Sequence, residues 1–271
     1  MYAINPITYQ DGVTGRWEKK MGSGMLAVEG FFGKTKVSVA LGSVDVQRTK
    51  GLSLRWTDGN WSTRVGYSTN TLSFTSQSVS ATLKSLTSLP AVVCSNCASV
   101  IPSIAALKGI EAKLKTFGFS YDDGMWIGQF EYGKRQSSSI IVAPVSGWNV
   151  LAGYRVGDFT PFVGMGSLKV DSAEPGLIAG PGAPAAFKAQ LKYLNAARIA
   201  IGSPDRDAYA FGVRWDFAKN LALKAQFDSI KMAKPEIGST GIITYPTSML
   251  GKPSGFDGRV STLTFNLDFV F

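Results

Sequence analysis

Histidine is missing from all 271 residues. The commonest general base and metal ligand is therefore absent, and with it any Ser-His-Asp arrangement. Cysteine is nearly as scarce: Cys94 and Cys97 form one C-x-x-C, where a zinc ribbon needs two such pairs. No run approaches 18 uninterrupted apolar residues, which excludes a bundle of membrane-spanning helices. The opening Met1-Tyr-Ala-Ile-Asn-Pro6 has no basic segment followed by an apolar core, so no export signal is legible there. The formal charge of +9 raises the question of nucleic acid, but the Lys and Arg residues are scattered and form no basic stripe. No glycine-rich turn follows a strand and opens a helix, and no D-x-D-x-D-G loop occurs. Asp122-Asp123-Gly124 reads as a turn. Neither a cofactor nor a metal is expected, and the chain does not read as an enzyme.

What is present is alternation. From Leu263 to Phe271 the chain places Leu263, Phe265, Leu267, Phe269 and Phe271 on one face and Thr264, Asn266, Asp268 and Val270 on the other. That period of two marks a β-strand with one oily face. Tyr209, Phe211, Val213, Trp215 and Phe217 repeat the pattern against Ala210, Gly212, Arg214 and Asp216, and Trp61 to Ser68 follows it too. In all, about eleven strands are readable. Short hairpin turns recur at Lys20-Met21-Gly22, Asp58-Gly59-Asn60, Asp122-Asp123-Gly124, Gly157-Asp158 and Ala218-Lys219-Asn220. Long links, 33–50, 71–109, 135–147, 170–206 and 232–258, separate these hairpins, so short and long connections are expected to alternate strictly. Loops of such length are unusual in compact soluble domains. An antiparallel transmembrane β-barrel has this asymmetry as a rule, with one oily face toward lipid and its edges closed. Residues 1–271 are read as a single domain of this all-β class.

The other face carries charge. Arg16, Glu18, Glu29, Arg55, Arg64, Glu131, Arg155, Arg214, Asp216, Lys224, Asp228 and Asp268 all fall on the polar side of their strands. Against lipid each costs about 2–4 kcal/mol near the midplane. Together they exceed the whole folding free energy of an ordinary domain. They are therefore expected to line a wet, charged interior, whose five arginines favour mild anion preference.

The run Phe211-Gly-Val-Arg-Trp-Asp-Phe-Ala-Lys-Asn-Leu-Ala-Leu-Lys-Ala-Gln-Phe-Asp228, with the terminal Leu267-Asp-Phe-Val-Phe271, resembles the closing strands of Gram-negative bacterial porins. The likeness extends less specifically back to the strand start at Asp11-Gly12-Val13. It implies an outer-membrane location, a 16-stranded barrel that is often a homotrimer, and passive diffusion of small hydrophilic solutes. It also implies lipid as a partner and Phe271 as the point that the barrel-assembly machinery recognises. Eleven strands is an odd count, so the chain is expected to be the C-terminal portion of a longer porin. A surface receptor or adhesion barrel acting through its long loops is the alternative.

In an oxidising surface compartment, Cys94 and Cys97 are expected to form a local disulfide bracing a loop. Phe187, Leu191 and Leu194 fall at helical spacing within residues 185–200, and 98–107 is a weaker helical candidate. The first is expected to lie over the barrel mouth; folding inward to narrow the pore is the other reading.

Overall fold

A computed structural model describes residues 10–39, 42–104, 106–139, 142, 144–171, 177–189, 191, 205–232 and 258–269. Eleven strands form a single sheet: β1 (Asp11–Met21), β2 (Gly24–Val39), β3 (Gly42–Asp58), β4 (Trp61–Thr75), β5 (Ile110–Asp122), β6 (Trp126–Ser137), β7 (Val145–Tyr154), β8 (Phe159–Val170), β9 (Arg206–Ala218), β10 (Leu221–Met232) and β11 (Arg259–Phe269). Every strand pairs antiparallel with its sequence neighbours, in the order β1 to β11. The eleven-strand expectation is met. The sheet is not closed among the described residues, and β1 and β11 are exposed edges. Phe271, Leu194 and most of the 232–258 link lie outside the described residues.

The short turns sit where the sequence places them. Gly59 adopts φ 54° and Asn220 φ 70° in two-residue hairpins, a left-handed conformation that glycine and asparagine tolerate best. The strict alternation of short and long links fails at 33–50. There β2 and β3 run on to Val39 and Gly42, with Thr35 opposite Val46 and Val37 opposite Val44. The sequence hid this because a bulge in β3, between Gln47 and Lys50, shifts its alternation against both β2 and β4. Beyond it the apolar residues of β3 occupy the opposite face from Leu52 and Leu54. The 135–147 link shortens likewise, since β6 reaches Ser137 and β7 begins at Val145.

Directly paired residues share a face, so the register sorts every strand. On the outward face Phe211 meets Phe227, Ala225 meets Phe265, Phe117 meets Tyr132, and Trp126 meets Tyr154. These residues are not a core: Phe211 is 58% exposed, Phe265 64% and Leu263 63%. No second protein layer covers them among the described residues. Residues that are truly buried gather at the long-link end of the inner face. Val46, Leu72, Ile110 and Ala112 pack with Val142, and Val145 and Leu168 pack with Leu114 and Val170.

Two helices, α1 (Gln77–Thr87) and α2 (Cys97–Ile104), fill the link after β4. The periodicity had indicated α2 but not α1. Residues 185–189 and 191 are helical, and Phe187 and Leu191 pack on Cys94, Cys97 and Ile101 together with Leu83, Leu86 and Leu89. Cys94 and Cys97 are joined by a disulfide, as expected. A bridge between Cys94 and Ala179, and Ser95 N donating to Ile178 O at 3.0 Å, tie this unit to the link after β8.

Candidate functional site

Following the register across the sheet gives one continuous inner row: Glu18, Ala27, Arg55, Arg64, Gly118, Glu131, Asn149, Gly166, Ala208, Ile230 and Val260. It crosses all eleven strands. Arg16 lies opposite Glu29 one step along, and Asp228 lies opposite Ala210. Lys224 faces Arg214 and Asn266, while Asp268 faces Ala222. Eleven of the twelve sequence-selected charges thus share one face of the strands. Arg155 is the exception in placement: β7 ends at Tyr154, so Arg155 lies in the turn toward β8.

The middle of this face is floored with small residues. Gly66, Gly118, Gly133, Gly147, Gly164, Gly166, Ala208 and Ala210 all occupy inner positions by register. Small side chains leave room where long ones would fill a closed core. A recess of about 630 Å³ results, with Glu131, Asn149, Gln226 and Asp228 around its glycine and alanine floor. Asn149 Nδ2 donates to Glu131 Oε2 at 3.2 Å, and Gln226 Nε2 donates to Asp228 Oδ1 at 2.7 Å. A second recess of about 80 Å³ is enclosed by Arg16, Glu29, Arg55 and Arg64 with Ala27 and Ser53.

Charge is zoned rather than mixed. Arg16 pairs with Glu18 on the same strand. Arg55 and Arg64 stand directly opposite each other on β3 and β4, and neither forms an ion pair among the described residues. Like charges so placed repel, and they leave a cationic zone two strands from the Glu131 carboxylate. Farther round the sheet Arg214 holds Asp216 at 2.7 Å and Asp268 at 3.4 Å. Lys224 Nζ sits 4.9 Å from the centroid of the Phe162 ring, within cation–π range.

Toward the short turns, Arg155 grips Asp122, and its own pKa is raised, first by that hydrogen bond. Asp123 organises the neighbouring turn. It accepts hydrogen bonds from Trp126 N at 2.6 Å, Met125 N at 2.8 Å and Tyr121 Oη at 2.9 Å. These donors, the Trp126 amide foremost, hold its carboxyl below the usual range.

Sequence reading missed three inner-face groups. Asp122 was read as a turn residue. Arg135 lies four residues beyond Glu131, and Arg206 eight before Arg214, both in step with the inner face. Parity alone would have found these two. The expectation of a charged interior throughout also needs correction. At the long-link end the inner face is apolar, carrying Val44, Val46, Leu72, Ile110 and Val145, because link residues such as Val142 cover it. The outward face changes in the opposite sense there, from aromatic to lysine-rich.

No protein-family model matches the chain, and no curated protein does. Among solved structures, the outer membrane channel DcaP of Acinetobacter baumannii aligns with a TM-score of 0.48 at 9% identity, covering 94% of this chain and 62% of that one. BamA from Haemophilus ducreyi lacking POTRA domains 1–3 aligns at 0.47 and 10%, covering 95% and 56%. The NanC porin aligns at 0.39 and 11%, covering 97% and 100%. The chain thus spans less than two thirds of the DcaP and BamA chains.

Proposed function

We propose that the sheet forms the wall of an outer-membrane porin through which small hydrophilic solutes and ions diffuse passively. The observation that carries this reading is the two-faced sheet. One face presents exposed Phe, Trp, Tyr, Leu and Val, and the other presents eleven of the twelve charged residues over a glycine and alanine floor. Lipid outside and water inside satisfy both faces at once. No covalent step is involved: lumen width sets the size limit, and Arg16, Arg55, Arg64, Arg155 and Arg214 set the charge preference. In hydrocarbon each unpaired backbone group costs several kcal/mol. The exposed edges of β1 and β11 are therefore paired in the working pore, and we place these eleven strands within a sixteen-stranded barrel that assembles as a homotrimer.

Planar-bilayer recording of the refolded whole barrel that contains these strands tests the reading. Stepwise conductance with a reversal potential on the anion side of zero is expected. Arg55→Gln/Arg64→Gln then moves the reversal potential toward cations. A refolded, inserted whole barrel that conducts nothing would end the channel reading, and wild-type cation preference would end the arginine argument alone.

A further inference from the structure

The outward face of β3 to β6 has a feature that the diffusion pathway does not use. Along β5 the outward residues run Glu111, Lys113, Lys115, Phe117, Phe119 and Tyr121 from the long-link end to the short turn. Lys115 stands directly opposite Lys134 on β6, with Tyr67 on its other side. Two ammonium groups so placed repel. Several outward cations at this level face a carboxylate across the strands: Lys34 faces Asp11, Lys36 faces Asp45, and Lys231 faces Asp207 on one side and Arg259 on the other. Lys50 and Lys113 face no carboxylate, since both flank Thr69, with Phe32 and Gln136 beyond. Lys134 forms an ion pair with Asp171 at 3.5 Å.

Beside these lysines β3 bulges. The register slips between Gln47 and Lys50, and Arg48 takes φ 52°, a conformation seldom adopted by a residue of its size. Bulges re-aim side chains and are retained where that serves a site. Arg48, Lys50, Tyr67, Thr69, Glu111 and Lys113 line a recess of about 620 Å³ at this point. Glu111 offsets one of its three cations. On the same face, nearer the short turns, Leu52, Tyr67, Phe117 and Tyr132 are exposed.

We propose that this recess binds the phosphomonoester headgroup of a membrane glycolipid, with Arg48, Lys50 and Lys113 on the phosphate and Lys115 and Lys134 beside it. Guanidinium and ammonium groups together suit a phosphate of charge about −1.5 to −2. The exposed aromatic and aliphatic wall accommodates acyl chains, which a free anion would not require. The site rests on the outer-membrane reading.

The test uses the full chain refolded in detergent and in phosphatidylcholine vesicles, with a bisphosphorylated glucosamine lipid as probe. Native mass spectrometry counts the retained lipid, and heat-dependent gel migration reports folding. Wild type is expected to retain the lipid. Arg48→Gln/Lys50→Gln/Lys113→Gln is expected to weaken retention at least about tenfold. Lys34→Gln/Lys231→Gln, which removes carboxylate-facing lysines, is expected to leave it unchanged, and Arg48→Lys/Lys50→Arg/Lys113→Arg to preserve it. Equal retention by the folded Gln triple variant overturns the site while leaving the membrane reading intact. Displacement by inorganic phosphate at the lipid's own concentration overturns its assignment to lipid. Failure of the wild-type chain to insert into vesicles overturns both.

Discussion

Arg155 and Asp122 are joined by two parallel hydrogen bonds, Nη1 to Oδ1 at 2.6 Å and Nη2 to Oδ2 at 2.8 Å. The two residues come from different hairpins, one from the turn after β7 and one from the end of β5. Arg155 N also donates to Met125 O at 2.8 Å, so backbone and side chain both fasten the two turns together. Such a two-pronged contact fixes the guanidinium plane, which a lysine at 155 would not do.

Because the pair sits at the short-turn mouth of the proposed pore, each partner's removal should leave the other's charge exposed there. Arg155→Gln is expected to shift the permeability ratio toward cations by roughly twofold, and Asp122→Asn to shift it by a similar factor toward anions. Opposite signs in reversal-potential measurements are the critical result. Equal and same-signed shifts would mean that the pair acts only as a strut.

Asp123 gives a pH prediction with a defined sign. Its carboxyl is held below the ordinary value by the Trp126 and Met125 amides and the Tyr121 hydroxyl. A depressed carboxylate contributes stability above its unfolded pKa and loses it as pH falls through the folded one. The turn between β5 and β6 should therefore loosen only in acid, below the usual carboxylate range. Asp123→Asn should show no such acid step in hydrogen exchange at Met125 and Trp126. A step of the same size in the variant would assign it elsewhere.

The disulfide makes a third prediction. Cys94 and Cys97 are buried among Leu83, Leu86, Leu89, Ile101, Phe187 and Leu191, away from the strands that carry the charged row. A loop this short restricts the unfolded chain by about 2 kcal/mol in the entropic account. Cys94→Ser/Cys97→Ser should open residues 77–104 to limited proteolysis while leaving the sheet's heat-dependent migration unchanged. Conductance altered in the same variant would bring this unit into the pathway; unaltered conductance would confine it to the mouth.

How legible this was depended on which rule governed each residue. Period two is enforced wherever one face meets a different medium from the other, so Phe211, Trp215, Phe265 and Arg214 could be assigned from sequence. Turn chemistry did the same for Asp58-Gly59-Asn60. The rule gave way at Arg48, where the bulge in β3 moved Val44 and Val46 to the inner face. An alternation that changes phase looks like a loop. The helix α1 was hidden for another reason: its sequence, Gln77-Ser-Val-Ser-Ala-Thr-Leu-Lys-Ser-Leu-Thr87, is rich in Ser and Thr, and its few apolar residues find partners only through tertiary contacts such as Leu83 and Leu86 on Cys97. Ion pairs such as Arg155–Asp122 were illegible because sequence spacing does not report contact between hairpins.

The last prediction separates a membrane sheet from a water-soluble one. Phe211 lies outward beside Phe227, with ring centroids 5.1 Å apart, and is 58% exposed. Gln226 is its counterpart on the inner face, opposite Gly212 and Thr264. In water, Phe211→Lys would replace an exposed ring by a solvated cation at little cost. In a bilayer the same change puts an ammonium near the hydrocarbon midplane, at about 2–4 kcal/mol. Gln226→Lys should stay within about 0.5 kcal/mol, because its surroundings are already wet. Urea unfolding from phosphatidylcholine vesicles, followed by tryptophan fluorescence, measures both. A cost at 211 and none at 226 requires lipid on one side and water on the other; comparable costs would mean that the two faces meet the same medium.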